Sequence, residues 1–342
     1  LQEALAGNLD MQARFVDIRD ISVLLEGQEA GGYHVNMWNQ GDFASPWLIL
    51  HYDNIDEGLN DLMYTNEFRR ALSHAMNRDR INEVVNLGLA KPRQFALSAE
   101  SPEFQSEEGK AFYQEWANSY IEYDPELAMS LLDSIGVVDA DGDGWRDRPD
   151  GTPLDVIVDV PSGDQSQLDS MDLIKQDWDA VGLKTTLNVQ DWTIIDQRIG
   201  SGETFIMAWP GAAAWGLISA PAGWTPVENA TYNTGGQLFG IYYQTGGAEG
   251  LAPRPGSMLE QLQTAYRELV TIVDEQERYQ KLLAAYQIHL DDGPISIGTV
   301  GEHPSPVIVK NNFHNVPLNG LTASWDLGYP GTTDPEQYFI GQ

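Results

Sequence analysis

A mixed α/β fold is what this sequence predicts, and three stretches predict it. Residues 121–163 run from a short apolar-striped helix through a glycine stop and an Asp/Gly-rich loop into a strand. Residues 171–190 repeat the order helix then strand, and 274–300 repeat it again. Helical and two-residue periodicities alternating at this spacing describe a sheet covered by helices. A chain of 342 residues can bury a large core, and its length is that of two domains.

The elements follow in order. Residues 1–55 read as helix, then a strand at 33–38, a Gly/Asp turn and a second strand at 47–52. In the 121–163 stretch, Asp124 can cap a helix and Pro125 suits its first position. Leu127, Leu131, Leu132 and Ile135 share one face, and Gly136 stands where a left-handed terminator is wanted. Leu154, Val156, Val158 and Val160 then alternate as a half-buried strand does. Leu183, Thr185, Leu187 and Val189 alternate in the same way with Lys184, Thr186, Asn188 and Gln190. Asp274 and Glu277 have the form of a capping box, and Tyr279, Leu282, Leu283, Tyr286 and Leu290 form the buried stripe of the helix behind it. Asp291-Asp292-Gly293-Pro294 breaks that helix, and 295–300 should be a strand. Leu127, Leu131, Leu132, Leu183, Leu187, Leu282 and Leu283 are the expected core. Residues 210–256, rich in Gly, Pro, Ala, Trp and Tyr, show little helical periodicity and read as a long binding-face loop. Residues 301–342 are Gly/Pro-rich and read as a closing tail.

Composition narrows the function. Fifty-one acidic residues against 19 Lys and Arg give a formal charge of -32. Such self-repulsion favours solubility and argues against nucleic acid or an anionic membrane as partner. No cysteine is present, which excludes disulfides, thiolate metal sites and thiol catalysis. No signal peptide, lipid-anchor cysteine or long apolar run stands in the chain.

One family carries all of these segments in this order. Asn66-Glu67-Phe68-Arg69-Arg70-Ala71-Leu72-Ser73-His74-Ala75-Met76-Asn77-Arg78 leads through Asp79-Arg80-Ile81 to Gly88-Leu89-Ala90-Lys91-Pro92. This resembles the signature helix pair and turn of the extracytoplasmic solute-binding proteins of peptide-type ABC importers, family 5. Residues 171–192 and 274–300 are similar to that family's next helix–strand unit and its late helix and return strand. The resemblance implies the C-terminal portion of a two-lobed, type II periplasmic-binding-protein clamshell. It assigns 1–55 to part of the first lobe and the hinge crossing, 56–290 to the second lobe, and 291–342 to the return strand and tail of the first. It further implies a monomer that captures a small or oligomeric solute, an oligosaccharide or oligopeptide, and hands it to a membrane permease. Such a protein works outside the cytoplasm, lipid-anchored in its full-length form, and this chain is then a fragment of it.

Three features bear on the site. Asp139, Asp141 and Asp143 at positions 1, 3 and 5 of a loop, Gly144 at 6, and Asp147 and Asp150 at 9 and 12 match a calcium loop, whose expected ligands are Asp139, Asp141, Asp143, the Trp145 carbonyl and Asp150. A strand follows in place of a second helix, and Asp150 is a methylene shorter than the usual Glu, so the same loop reads equally as a polar Asx/Gly turn. Calcium here would be a structural clip, and no cofactor is required. Trp192, Trp209, Trp215 and Trp224 lie in or beside the irregular stretch, with Tyr232, Tyr242 and Tyr243 following. Of these, Trp209, Trp215, Trp224 and Tyr242 are the candidate ligand residues, because flat rings with polar edges suit sugar faces and peptide side chains; each also reads as core. Where the resemblance places an Asp that pairs with a peptide's amino terminus, three residues past Trp209, this chain has Ala212. That shifts weight toward an uncharged ligand or a peptide anchored elsewhere.

Catalysis finds no motif. The six histidines are scattered, and no zinc-protease, nucleophile-elbow or phosphate-loop spacing occurs. Two rivals from other classes stay in view. A secreted carbohydrate-active enzyme would release reducing ends from oligosaccharides, and a ligand-sensing structural module would show no ligand-induced melting shift.

Overall fold

The computed structural model describes residues 1–14, 16–41, 44–210, 221–322 and 333–341. Its helices start where short polar side chains reach back to free amides. Asp56 accepts from Gly58 and Leu59 at the head of one helix, Asn77 from Arg80 at the next. Asp124, Asp164, Asp191, Ser257 and Asp274 do the same further on. The capping residues read from the sequence at 124 and 274 are therefore in use, and Gly136 takes the left-handed conformation expected of it, φ 77°.

In chain order, Gln2–Leu5 (α1) and Met11–Gln12 (β1) precede Ile21–Glu26 (α2), Gln28–Gly31 (α3) and Tyr33–Gln40 (β2). Trp47–Leu50 (β3) leads to Glu57–Tyr64 (α4), Asn66–His74 (α5), Arg78–Asn86 (α6) and Lys91–Pro92 (β4). Glu107–Ala117 (α7), Pro125–Ser134 (α8), Asp155–Pro161 (β5), Gln165–Ala180 (α9), Lys184–Gln190 (β6), Trp192–Gly200 (α10) and Ile206–Trp209 (β7) follow. Gln237–Gln244 (α11), Met258–Leu269 (α12) and Glu275–Asp291 (α13) lead to Val300–Gly301 (β8), Pro304–Lys310 (β9), Phe313–His314 (β10), Leu321–Thr322 (β11) and Phe339–Ile340 (β12).

Two four-stranded sheets result. The larger has the order β3-β7-β5-β6, in which β5, β6 and β7 are parallel and β3 runs against β7. Helices α9 and α10 make the crossovers that parallel neighbours require. The smaller sheet has the order β1-β9-β2-β11. The main core surrounds the larger sheet; only small clusters, such as Ala4, Leu24, Tyr33 and Ile308, belong to the smaller. The chain passes between the sheets after β2 and again after β8, because Leu48 bridges Ile297 and β8 pairs with β4.

The signature segment 66–81 earns its arginines through packing. Arg69 is fully buried and donates to the carbonyls of Met63, Pro294 and Asp292 and to Asn66 Oδ1. Arg78, also buried, donates to the carbonyls of Gly298, Ser73 and Ile121 and to Ser73 Oγ. The two guanidinium groups bolt the helix pair onto the end of α13 and the segment beyond it. Burial holds Arg78 down to about 9, although the charge of Glu122 opposes this.

Several expectations need correction. On α8 the buried face is Ala128 and Leu132, with Leu131 partly covered, while Leu127 is 40 % exposed. The helix presents its 128/132 edge to α5, one residue round from the stripe read in the sequence. Leu187 and Leu283 are partly buried, and Leu183, Leu282 and Leu132 fully. Residues 295–300 form a bridge and the first residue of β8, not a strand; the long strand is β9, inside the supposed tail. The stretch 210–256 contains the helix α11.

Candidate functional site

Open α/β sheets bind ligands beyond the carboxyl ends of their parallel strands. Here those ends are Pro161 of β5, Gln190 of β6 and Trp209 of β7. Register aligns them. Pro161 pairs with Gln190, and Trp47 at the start of β3 pairs with Trp209. Asp159 pairs with Met207, which puts Pro161 beside Trp209 two residues on. Trp47, Trp209, Pro161 and Gln190 thus form one rung across the sheet's edge. Trp47 is buried against Phe95 at 4.6 Å, whereas Trp209 is only partly covered.

Rings gather on this rung. Asp191 caps α10 through the Thr193 amide, which fixes Trp192 as the helix's first residue, two residues beyond the strand end. Its ring meets Trp209 edge-on, centroids 4.9 Å apart. Tyr232 also meets Trp209, tilted at 5.5 Å, and is 39 % exposed. The three rings form one partly open aromatic wall.

A polar chain runs under α10 to the same edge. Fully buried Asp159 receives Arg198 Nε at 3.2 Å and Asn188 Nδ2 at 2.5 Å. Asn188 Oδ1 in turn accepts from Gln190 Nε2 at 3.0 Å. A buried charge needs such company, and here it is supplied from two elements.

Of the sequence-derived ligand residues, Trp209 stands on this wall. Trp215 and Ala212 lie outside the described residues. Trp224 is core: it is 0 % exposed, its ring packs on Tyr266 and Tyr286, and its carbonyl accepts from His289 Nε2 at 2.7 Å. Its indole fills the space between α12 and α13 rather than facing a ligand. Tyr242 lies on α11, half-buried, over the turn at Gly247. Trp192 and Tyr232 belong to the aromatic set of the sequence but are not singled out as candidates there, and Gln190 does not read as a candidate at all. The signal available for two of them was position, immediately at and after the end of an alternating strand.

The Asp-rich loop is assembled differently from its expected form. Carboxylate oxygens of Asp139, Asp141 and Asp147 lie within 4.8 Å of one another. That convergence suits a hard divalent cation. Asp143 accepts from the Trp145 amide and Asp150 from Thr152, and Asp139, Asp141 and Asp147 likewise accept from the loop's own amides at Gly142, Gly144, Asp143 and Ala140. Convergence alone thus picks out Asp139, Asp141 and Asp147. The last, at loop position 9, is buried; the sequence places it in the loop pattern but not among the expected ligands.

Buried His51 holds structure together. His51 Nδ1 lies 3.2 Å from Asp53 Oδ1, and Asp53 Oδ2 accepts from the Leu238 amide, so β3 is tied to the head of α11. At that far end of β3, a cavity of about 290 Å³ lies beside Tyr52, Tyr64 and Arg254. Arg254 flanks it, stacked over Tyr64 at 4.2 Å and paired with Asp61 at 2.6 Å.

Known proteins share this architecture. The family model for bacterial extracellular solute-binding proteins, family 5 Middle, matches residues 5–232. An oligopeptide-binding protein OppA superposes with a TM-score of 0.78 at 30 % identity, over 100 % of this chain and 54 % of its own. The binding protein MelB of Agrobacterium fabrum C58, solved with stachyose, gives 0.74 at 17 % identity, over 99 % and 50 %. The oligopeptide-binding protein AppA of Bacillus subtilis, solved with a nonapeptide, gives 0.65 at 14 %, over 100 % and 58 %. The chain thus spans about half the length of these structures, and among the described residues no helix is long and apolar enough to cross a membrane. The matched segment contains the signature helix pair, the Asp-rich loop and the sheet that carries the aromatic wall, and by that match the chain belongs to the bacterial extracellular solute-binding proteins of family 5.

Proposed function

We propose that this chain is the C-terminal part of an extracytoplasmic protein that captures an oligosaccharide or oligopeptide for an ABC importer. The larger sheet and its helices are then the second lobe, and the smaller sheet is part of the first. The observation that carries the reading is the aromatic wall of Trp192, Trp209 and Tyr232 at the carboxyl edge of the larger sheet. That edge adjoins the passage into β3, where two lobes of a clamshell would meet. Closure over a ligand is favoured only by contacts that differ between open and closed forms. Rings left partly open on one lobe are surfaces that closure can cover. The closed, monomeric form is then presented to the membrane permease, and the full-length protein is held at the membrane by a lipid anchor. The family is one of solute-binding proteins, not of enzymes.

Titration calorimetry of the full-length protein against oligosaccharides and short peptides tests this. We expect one saturable site, with scattering showing a more compact bound form. Failure to bind any member of either class would overturn the reading.

A further inference from the structure

We propose that the carboxyl edge of the larger sheet is a subsite for a neutral sugar ring, with Trp192, Trp209 and Tyr232 covering its C–H face and Gln190 Oε1 accepting a hydroxyl proton. The proposal rests on the solute-capture reading and narrows its ligand class.

The direction of the polar chain fixes what Gln190 offers. Ionised Asp159 can only accept, so it draws the amide nitrogen of Asn188 toward itself. Asn188 therefore turns its oxygen the other way, and that oxygen draws Gln190 Nε2. That contact uses one Nε2–H of Gln190 and leaves Oε1, with two lone pairs, as the acceptor it can offer a ligand beside its second N–H. Peptide amides and hydroxyls both donate, so the acceptor alone does not choose between them.

Charge chooses. A short peptide brings an ammonium and a carboxylate, each of which needs a partner when the cleft excludes water. Each carboxylate at these strand ends already holds a scaffold contact. Asp159 is held by Arg198 and Asn188, Asp191 caps α10, and Asp164 caps α9 through the Gln167 amide. Arg198 is spent on Asp159 and Glu203. What the described edge presents is three rings and an amide oxygen, the combination that suits an uncharged polyol with one apolar face.

The experiment is titration of the full-length protein with neutral tetra- to hexasaccharides and with tri- to pentapeptides, for the wild type and for Trp192→Ala, Trp192→Phe and Gln190→Leu. We expect saturable binding of at least one oligosaccharide. Trp192→Ala and Gln190→Leu should each weaken it by about tenfold, with the melting temperature unchanged, and Trp192→Phe should restore most of the loss. Tight peptide binding without oligosaccharide binding would overturn the sugar subsite and leave solute capture standing. Oligosaccharide binding unaffected by Trp192→Ala and Gln190→Leu would overturn the assignment of these residues. Binding of neither class by the wild type would overturn the capture reading itself.

Discussion

Replacing His289 by Gln should remove a pH dependence that the core imposes. His289 lies on α13, buried, with Nε2–H donating to the Trp224 carbonyl at 2.7 Å. The rings of Trp116 at 5.4 Å and Phe95 at 6.4 Å close the site. Burial disfavours the imidazolium and holds the group down to about 4, from an ordinary 6.5; the carbonyl opposes this to a lesser degree. Between pH 6.5 and 4 the unfolded chain therefore binds a proton that the folded one refuses. The contribution is fully present above 6.5 and is lost as pH falls toward 4. At 1.36 kcal/mol per pH unit, that interval corresponds to about 3 kcal/mol. Glu103 acts in the opposite sense. Burial holds it above its usual range although the Tyr286 hydroxyl donates to it at 3.0 Å, so it stabilises the fold at acid pH and loses that effect as pH rises. Urea unfolding of wild type and His289→Gln at pH 7 and pH 4 separates the two, because Glu103 is common to both proteins. The stability difference between wild type and variant should change by about 3 kcal/mol in the variant's favour on going to pH 4. A difference that stays constant with pH would refute the reasoning.

Other predictions follow from the same coordinates. Arg78→Met strands the carbonyls of Gly298 and Ser73 and should cost about 3 kcal/mol or more in urea unfolding, with Arg78→Lys recovering only part because an ammonium has no fork; wild-type stability would refute the bolting role. In chelator-washed protein, millimolar calcium should raise the melting temperature, and Asp141→Ala should abolish the rise; no response would leave the 139–150 loop as a turn closed by Asx bonds. With a formal charge of -32, melting temperature should climb as salt rises from 10 mM, where screening reaches about 30 Å, to 1 M, where it reaches about 3 Å. A flat profile would show that self-repulsion does not limit stability.

What was legible in the sequence is what local periodicity and local caps encode. The order α8, β5, α9, β6 and the long helix α13 could be read because each carries its own stripe and its own capping Asp. The strand β9 could not, because Pro304 and Pro306 look like breakers. In the sheet they pair with Asn39 and Met37 of β2, while β1 reaches only Ile308 and Val309, so their missing N–H groups fall beside an edge that, among the described residues, no strand pairs. The helix α11 escaped notice for a related reason. Its first amides are not capped by a neighbour in sequence; Asp53 serves Leu238 from 185 residues away, and Gly236 allows the carboxylate that close.

The same distinction governs the site. Trp224 and Trp209 are the same residue type in the same stretch of chain, and nothing local separates them. What separates them is the partner brought by tertiary structure: His289 from α13 for the one, and Trp192 with Tyr232 at an open strand edge for the other. Gln190 is the sharper case. In sequence it is the polar half of an alternation, a solvated residue on a strand. Only the pairing of β6 with β5 brings Asn188 over Asp159, and only then does a carboxylate two rungs inside the sheet decide which end of the Gln190 amide Asn188 holds. A ligand preference set in this way is carried by strand register. Replacing Asp159 by Asn would test that coupling at one remove: an amide at 159 can donate to Asn188, reverse the chain, and turn a hydrogen-bond donor toward the ligand. Hydroxyl-rich ligands can meet either polarity, so affinity for a given sugar should change in rank order across a panel more than in overall strength. An unchanged ranking would show that the chain's direction does not reach the ligand.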